Sequence, residues 1–152
     1  MTHLIHRYAG IVSFLCIATF FSSTVLAELF GSFEIIAKVK NLIVWPGLLI
    51  LVPAMALTGG SGFSLSKSRK GRLIQQKQKK MRFIGANGIL VLIPCALVLN
   101  HLAAMEAYDV FFYIVQGIEL LSGAINLTLL SLNIRDGMKM KGRFRASLSA
   151  GR

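Results

Sequence analysis

Residues 110–133 read VFFYIVQGIELLSGAINLTLLSLN. Glu119 is the one charged side chain in that run, which is longer than the roughly 20 residues needed to cross a bilayer core about 30 Å thick. In lipid the backbone must satisfy its own hydrogen bonds, so the stretch is expected to be a transmembrane helix. Its polar residues are ordered. Gln116, Glu119, Gly123, Asn126, Leu130 and Asn133 follow one another at alternating steps of three and four, which puts them on one stripe. Ile118, Leu121, Ile125, Leu129 and Leu132 cover the remaining surface. Such a stripe must face protein or water, because one central charge exposed to lipid costs about 2.5–3.5 kcal/mol on insertion scales.

Three further spans precede it. The first runs from about Tyr8 to Leu29, the second from about Leu42 to Thr58, and the third from about Phe83 to Ala103. Trp45 and Pro46 suit the interface and the first turn of the second span, and Gly59-Gly60-Ser61-Gly62 reads as its stop. Met1–Ala27 also has the outline of a signal peptide with Val25-Leu26-Ala27 before Glu28, but its apolar run exceeds the usual h-region of roughly 7–15 residues and is retained as a span. With 152 residues, 55% of them hydrophobic, and a mean hydropathy of +0.66, the chain has too much apolar surface for a soluble core of this size.

The spans sort the charges. Arg7, the eight cations from Lys67 to Arg82 and the six from Arg135 onward fall on one side, and only Lys38 and Lys40 of the 17 basic residues fall on the other. This positive-inside pattern predicts an all-α membrane protein: an antiparallel four-transmembrane-helix bundle in a bacterial inner membrane, with both termini cytoplasmic. Residues 1–134 form the membrane domain, 59–82 a basic cytoplasmic loop, and 135–152 a basic cytoplasmic tail, with Arg135 and Asp136 read as a boundary ion pair. Within the loop Arg72–Met81 has the length of a short surface helix. The net charge of +11 comes without groove-binding motifs, so anionic headgroups rather than nucleic acid are the expected partner. The contacts are assigned to Lys67, Arg69, Lys70, Arg72, Lys77, Lys79, Lys80 and Arg82.

Glu119 lies nine residues past Val110, roughly 13 Å down the helix and near mid-depth. None of the four spans so bounded contains lysine or arginine, so its expected partner is a neutral group, a histidine, water or a ligand. A tight turn near Glu106 sets Asn87 level with Asn126 and Pro94 level with Glu119. The carbonyls of Leu90 and Leu49, freed by Pro94 and Pro53, are candidate partners. Asn87, Pro94 and His101 are seven apart and are expected to answer the stripe with one face of the third helix. Gln116, Glu119, Asn126, Asn133, Asn87 and His101 thus form the candidate intramembrane polar site, with Gly117, Ser122 and Gly123 as close-packing positions.

The sequence carries no HExxH, GxSxG or Cys-x-x-Cys motif, and Cys16 and Cys95 lie inside spans as small apolar residues. A non-enzymatic role is expected, with no metal and no predicted cofactor. His6-Arg7-Tyr8 before an apolar span resembles the first helix of several bacterial membrane b-type cytochromes, which implies haem. The chain lacks the histidines such families place on later helices. The sequence therefore supports an ion- or proton-linked transport element or an accessory subunit of a larger membrane complex or homo-oligomer, the alternative being a redox subunit binding b-type haem or quinone.

Overall fold

A computed structural model describes residues 2–67 and 72–149, and apart from two short connections all of these are helical. Helix α1 spans Thr2–Phe30. Ser32 Oγ accepts from Ile35 N at 3.4 Å and, with Glu34 in the first turn, opens α2, Phe33–Leu42. A wide π turn over Ile43–Leu48 joins it to α3, Leu49–Lys67. After the undescribed residues 68–71, α4 runs Arg72–Asn87, a second π turn Gly88–Leu92 follows, and α5 covers Ile93–Ala104. Helix α6, Val110–Ser149, is capped by Asp109 Oδ1, which accepts from Phe112 N at 3.0 Å.

Four helical stretches are long and apolar enough to cross a membrane: Leu4–Phe30, Phe33–Gly62, Gln78–Ala104 and Val110–Met138. Large apolar side chains such as Leu15, Leu26, Leu49, Leu90, Ile114 and Leu121 are exposed, which is compatible with surroundings of acyl chains.

The element bounds differ from the sequence expectations in four places. The second spanning helix starts at Phe33 rather than Leu42, and Pro46 is not in its first turn. Trp45, pushed out of the helical region by the following proline (φ −132°, ψ 110°), marks a kink inside it. Nor does the glycine cluster end that helix. His6 Nδ1 lies 3.1 Å from Thr58 O, to which it donates, and 3.1 Å from Ser61 Oγ, while its ring packs over Gly62; α1 thereby holds α3 helical past the glycines. At the C-terminal end α6 continues unbroken past Asn133, so the basic segment prolongs the membrane helix. Likewise Arg72–Met81 is the first part of a helix that leads straight into the third span.

Two apolar clusters hold the helices together. At one end Ala27, Ile36, Leu99, Ala103, Phe112 and Val115 bring α1, α2, α5 and α6 into one core. Toward the other end Ile17, Ile84 and Leu130 join α1, α4 and α6. Helix α1 lies along α3 and also touches α6, where Phe21 Cδ2 would sit 3.4 Å from a Cβ at Gly123. Gly117, by contrast, has open space above it and is not a packing position.

The connection between α5 and α6 is closed by backbone geometry. Glu106 adopts φ 55°, Glu106 N donates to Ala103 O at 3.1 Å, and Ala107 N donates to Leu102 O at 2.9 Å. This pair of bonds is a Schellman motif whose left-handed position normally falls to glycine. A side chain there costs roughly 1–2 kcal/mol. Glu106→Gly should therefore raise stability in detergent by about 1 kcal/mol, read as a higher thermal midpoint, and an unchanged or lower midpoint would show that the glutamate compensates for its own backbone.

Candidate functional site

Lys40 lies seven residues into α2, roughly 10 Å along the axis, and Glu119 lies roughly 13 Å into α6. Both helices start at the end of the molecule where Ile36 and Phe112 share a cluster, so the two charges arrive at one level. Lys40 Nζ sits 2.7 Å from Glu119 Oε2, with the lysine 1% and the glutamate 12% exposed. Gln116 Nε2 donates to the same oxygen at 3.3 Å. This overturns the expectation of a neutral, histidine, water or ligand partner. The second helix begins earlier than its hydropathy suggests, and that early turn carries the lysine inward.

A second carboxyl approaches the pair. Glu28, in the last turn of α1, is near enough to feel the charges of both Lys40 and Glu119, and its Oε1 is buried without a hydrogen-bond partner. Gln116 Oε1 is buried and unpartnered as well. Two carboxyls thus lie near one ammonium, which is in contact with Glu119 alone, among amides whose oxygens are not all engaged.

The rest of the stripe is buried: Gln116 4%, Asn126 0%, Asn133 5% and Leu130 2% exposed. Asn87 stands level with Asn126, as the tight turn predicts. Its Nδ2 donates to Asn126 Oδ1 at 3.0 Å and to Ser122 O at 3.1 Å, and Asn126 Nδ2 donates to Ile84 O at 3.4 Å. Asn133 keeps both amide atoms buried without partners.

His101 and Pro94 do not join this seam; both are exposed. The π turn Gly88–Leu92 explains the departure. A wide turn takes one extra residue, which rotates everything after it by roughly 100° and breaks the seven-residue phase that links them to Asn87. His6, bound at the end of α3, and His101, at the end of α5, lie at opposite ends of the spans. Among the described residues no group of three histidine, cysteine, aspartate or glutamate side chains is arranged to hold a metal ion.

Above the ion pair, the loop residue Tyr108 donates to Phe33 O at 2.8 Å and stacks on Phe33 with ring centroids 4.4 Å apart. Burial first, and then the nearby carboxylates of Glu106 and Glu28, push its phenol above the ordinary value, so it remains a neutral donor.

Of the assigned lipid contacts, Arg69 and Lys70 lie outside the described residues, as do the side chains of Lys67, Arg72 and Lys77. Lys79 and Arg82 are exposed. Lys80 instead reaches Asp136 Oδ2 at 3.0 Å, so Asp136 ties α6 to α4, a role its neighbour Arg135 had obscured in the sequence.

Between the two clusters the kinked second helix and the third helix part, leaving a cavity of about 250 Å³. Phe20 and Phe21 of α1, Leu51 and Met55 of α3, Met81 of α4 and Ile89 and Leu92 of the second π turn line it. Thr24, Glu119 and Asn126 are its polar lining. Gly59, Gly85 and Gly88 also line it, and a Cβ on any of them would meet nothing within 4 Å.

No protein-family model, no curated protein and no solved structure matches this chain.

Removing one partner of a buried ion pair leaves a charge unpaired, at a cost of about 3–5 kcal/mol, whereas replacing both by apolar groups is often neutral. Lys40→Met should thus destabilise strongly in detergent, and Lys40→Met combined with Glu119→Leu should recover most of the loss. Additive losses in the double variant would mean that the two side chains do not stabilise each other.

Proposed function

We propose that this is a non-enzymatic, proton-linked transport element of a bacterial inner membrane, an antiparallel four-span bundle with both termini in the cytoplasm. The observation that carries the proposal is the buried Glu119–Lys40 pair within two of the long apolar helices, with Glu28 near it as a second carboxyl. Ionisable groups inside a membrane are costly and mark ion or proton pathways more often than packing contacts. With one ammonium for two carboxyls, the cluster cannot balance its charge internally when all three groups are ionised. Uptake of a proton or a small cation balances it, and release unbalances it again. The unpaired oxygens of Glu28 and Gln116 supply acceptors for that step.

The orientation rests on the distribution of basic residues. The two lysines on the far side are the exceptions to the positive-inside pattern, and one of them, Lys40, is committed to Glu119 inside the bundle. Reporter fusions after Arg69 and at Arg152 are expected to read as cytoplasmic, and fusions near Ser32 and Glu106 as external. A cytoplasmic signal at Glu106 would overturn the topology.

Proton coupling is tested at Glu119. An amide keeps the hydrogen-bonding shape but does not ionise, and Glu28 remains as a counter-charge near Lys40, so Glu119→Gln should fold with reduced stability and yet lose most proton flux in proteoliposomes relative to wild type. Full flux in a folded Gln variant would reject proton coupling and favour the accessory-subunit reading, in which the seam serves only helix packing.

A further inference from the structure

The intramembrane cavity combines three features that packing does not require. It is apolar except at Thr24, Glu119 and Asn126, it is floored by glycines that hold space open, and Val52 and Ile89 at its rim are exposed on the outer surface. At the polar edge, both hydrogen bonds to the Glu119 carboxyl go to Oε2; among the described residues Oε1 has no partner. Asn126 already uses its amide on Asn87 and Ile84. Besides the hydroxyl of Thr24, the acceptor left for a guest, and the one that carries charge, is Glu119 Oε1.

We propose that this cavity binds a flat, neutral, membrane-dissolved molecule of about two fused rings with one hydroxyl group, which enters from the lipid and donates to Glu119 Oε1. Size argues for the rings, since an apolar cavity of about 150 Å³ takes benzene, and this one, at about 250 Å³, has room for roughly one ring more. Neutrality follows from the route: a molecule that enters from the acyl chains past the exposed Val52 and Ile89 must cross lipid, where a charge is costly. A donor is required rather than an acceptor, because a carboxylate oxygen only accepts. A quinone, with carbonyls alone, does not meet that condition; its hydroxylated reduced form does.

This assignment deepens the proton-linked reading by naming a ligand for the same carboxylate. Binding is read without a pH gradient, so a protein that binds the probe but carries no protons would retain this proposal and lose that one. The probes are 1-naphthol and naphthalene, measured as saturable binding to the full chain in nanodiscs against empty nanodiscs. The Lys40→Met, Glu119→Leu double variant keeps the volume of the edge while removing its acceptor; it should lose about tenfold in naphthol affinity and none in naphthalene affinity. Gly88→Leu, whose side chain enters open space, should abolish binding of both, and Gly59→Leu serves the same purpose should the first variant not fold. Equal naphthol binding by wild type and the double variant would overturn the role of Glu119. Undiminished binding of both probes in a folded, cavity-filled variant would overturn the site.

Discussion

Placing a lysine and a glutamate opposite each other inside an apolar helix assembly constrains most of what surrounds them. The Lys40–Glu119 contact is 2.7 Å long, and its lysine is almost wholly enclosed. Each charge alone would be untenable at that depth. Helix α2 must therefore begin early enough to carry Lys40 inward, which is what the Ser32 cap and Glu34 accomplish. Helix α6 must present Glu119 at the same depth, which the short connection and the Asp109 cap ensure. The cluster of Ile36, Leu99 and Phe112 then locks the two helices at that level. Gln116, one turn from Glu119, adds a hydrogen bond without adding charge.

Much of this was legible where periodicity carried it. The stripe on residues 116–133 could be read because polar residues in an apolar helix are informative one by one, and its burial follows from the same cost that makes them rare. The pairing of Asn87 with Asn126 followed from a turn too short to allow much slack. Lys40 was missed because hydropathy begins a span only where charges stop, whereas the real helix begins at its cap. The spacing of Ile36 and Lys40, the two buried positions of α2, at i and i+4 was the available signal. Glu28 was missed because it stands one residue from the end of the first span, where a carboxylate is ordinary.

The phase of the third helix could not be read at all. A π turn leaves no compositional mark beyond a glycine, and it converts the regular series Asn87, Pro94, His101 into one half-buried amide and two exposed residues. Likewise, the glycines at 59–62 look like a stop because glycine is a poor helix former. They remain helical because His6, far away in sequence, binds across them. In each case a tertiary contact or a backbone defect outweighs a local preference.

The two π turns also have a common consequence. Without the extra residue at Gly88–Leu92, a helix that directs Asn87 at Asn126 would turn Leu99 and Ala103 well away from the apolar cluster they complete. The phase break lets one helix serve an amide seam below and an apolar core above. The kink at Trp45 does the corresponding work in the second helix, joining a segment that carries Lys40 toward α6 to a segment that lies against α1. Both breaks border the same cavity, and neither neighbour can close it without giving up one of its two packing partners. The opening is thus a geometric consequence of bringing a charge pair and an amide seam into one four-helix assembly, and Glu119 lies at its edge because α6 is the helix common to both.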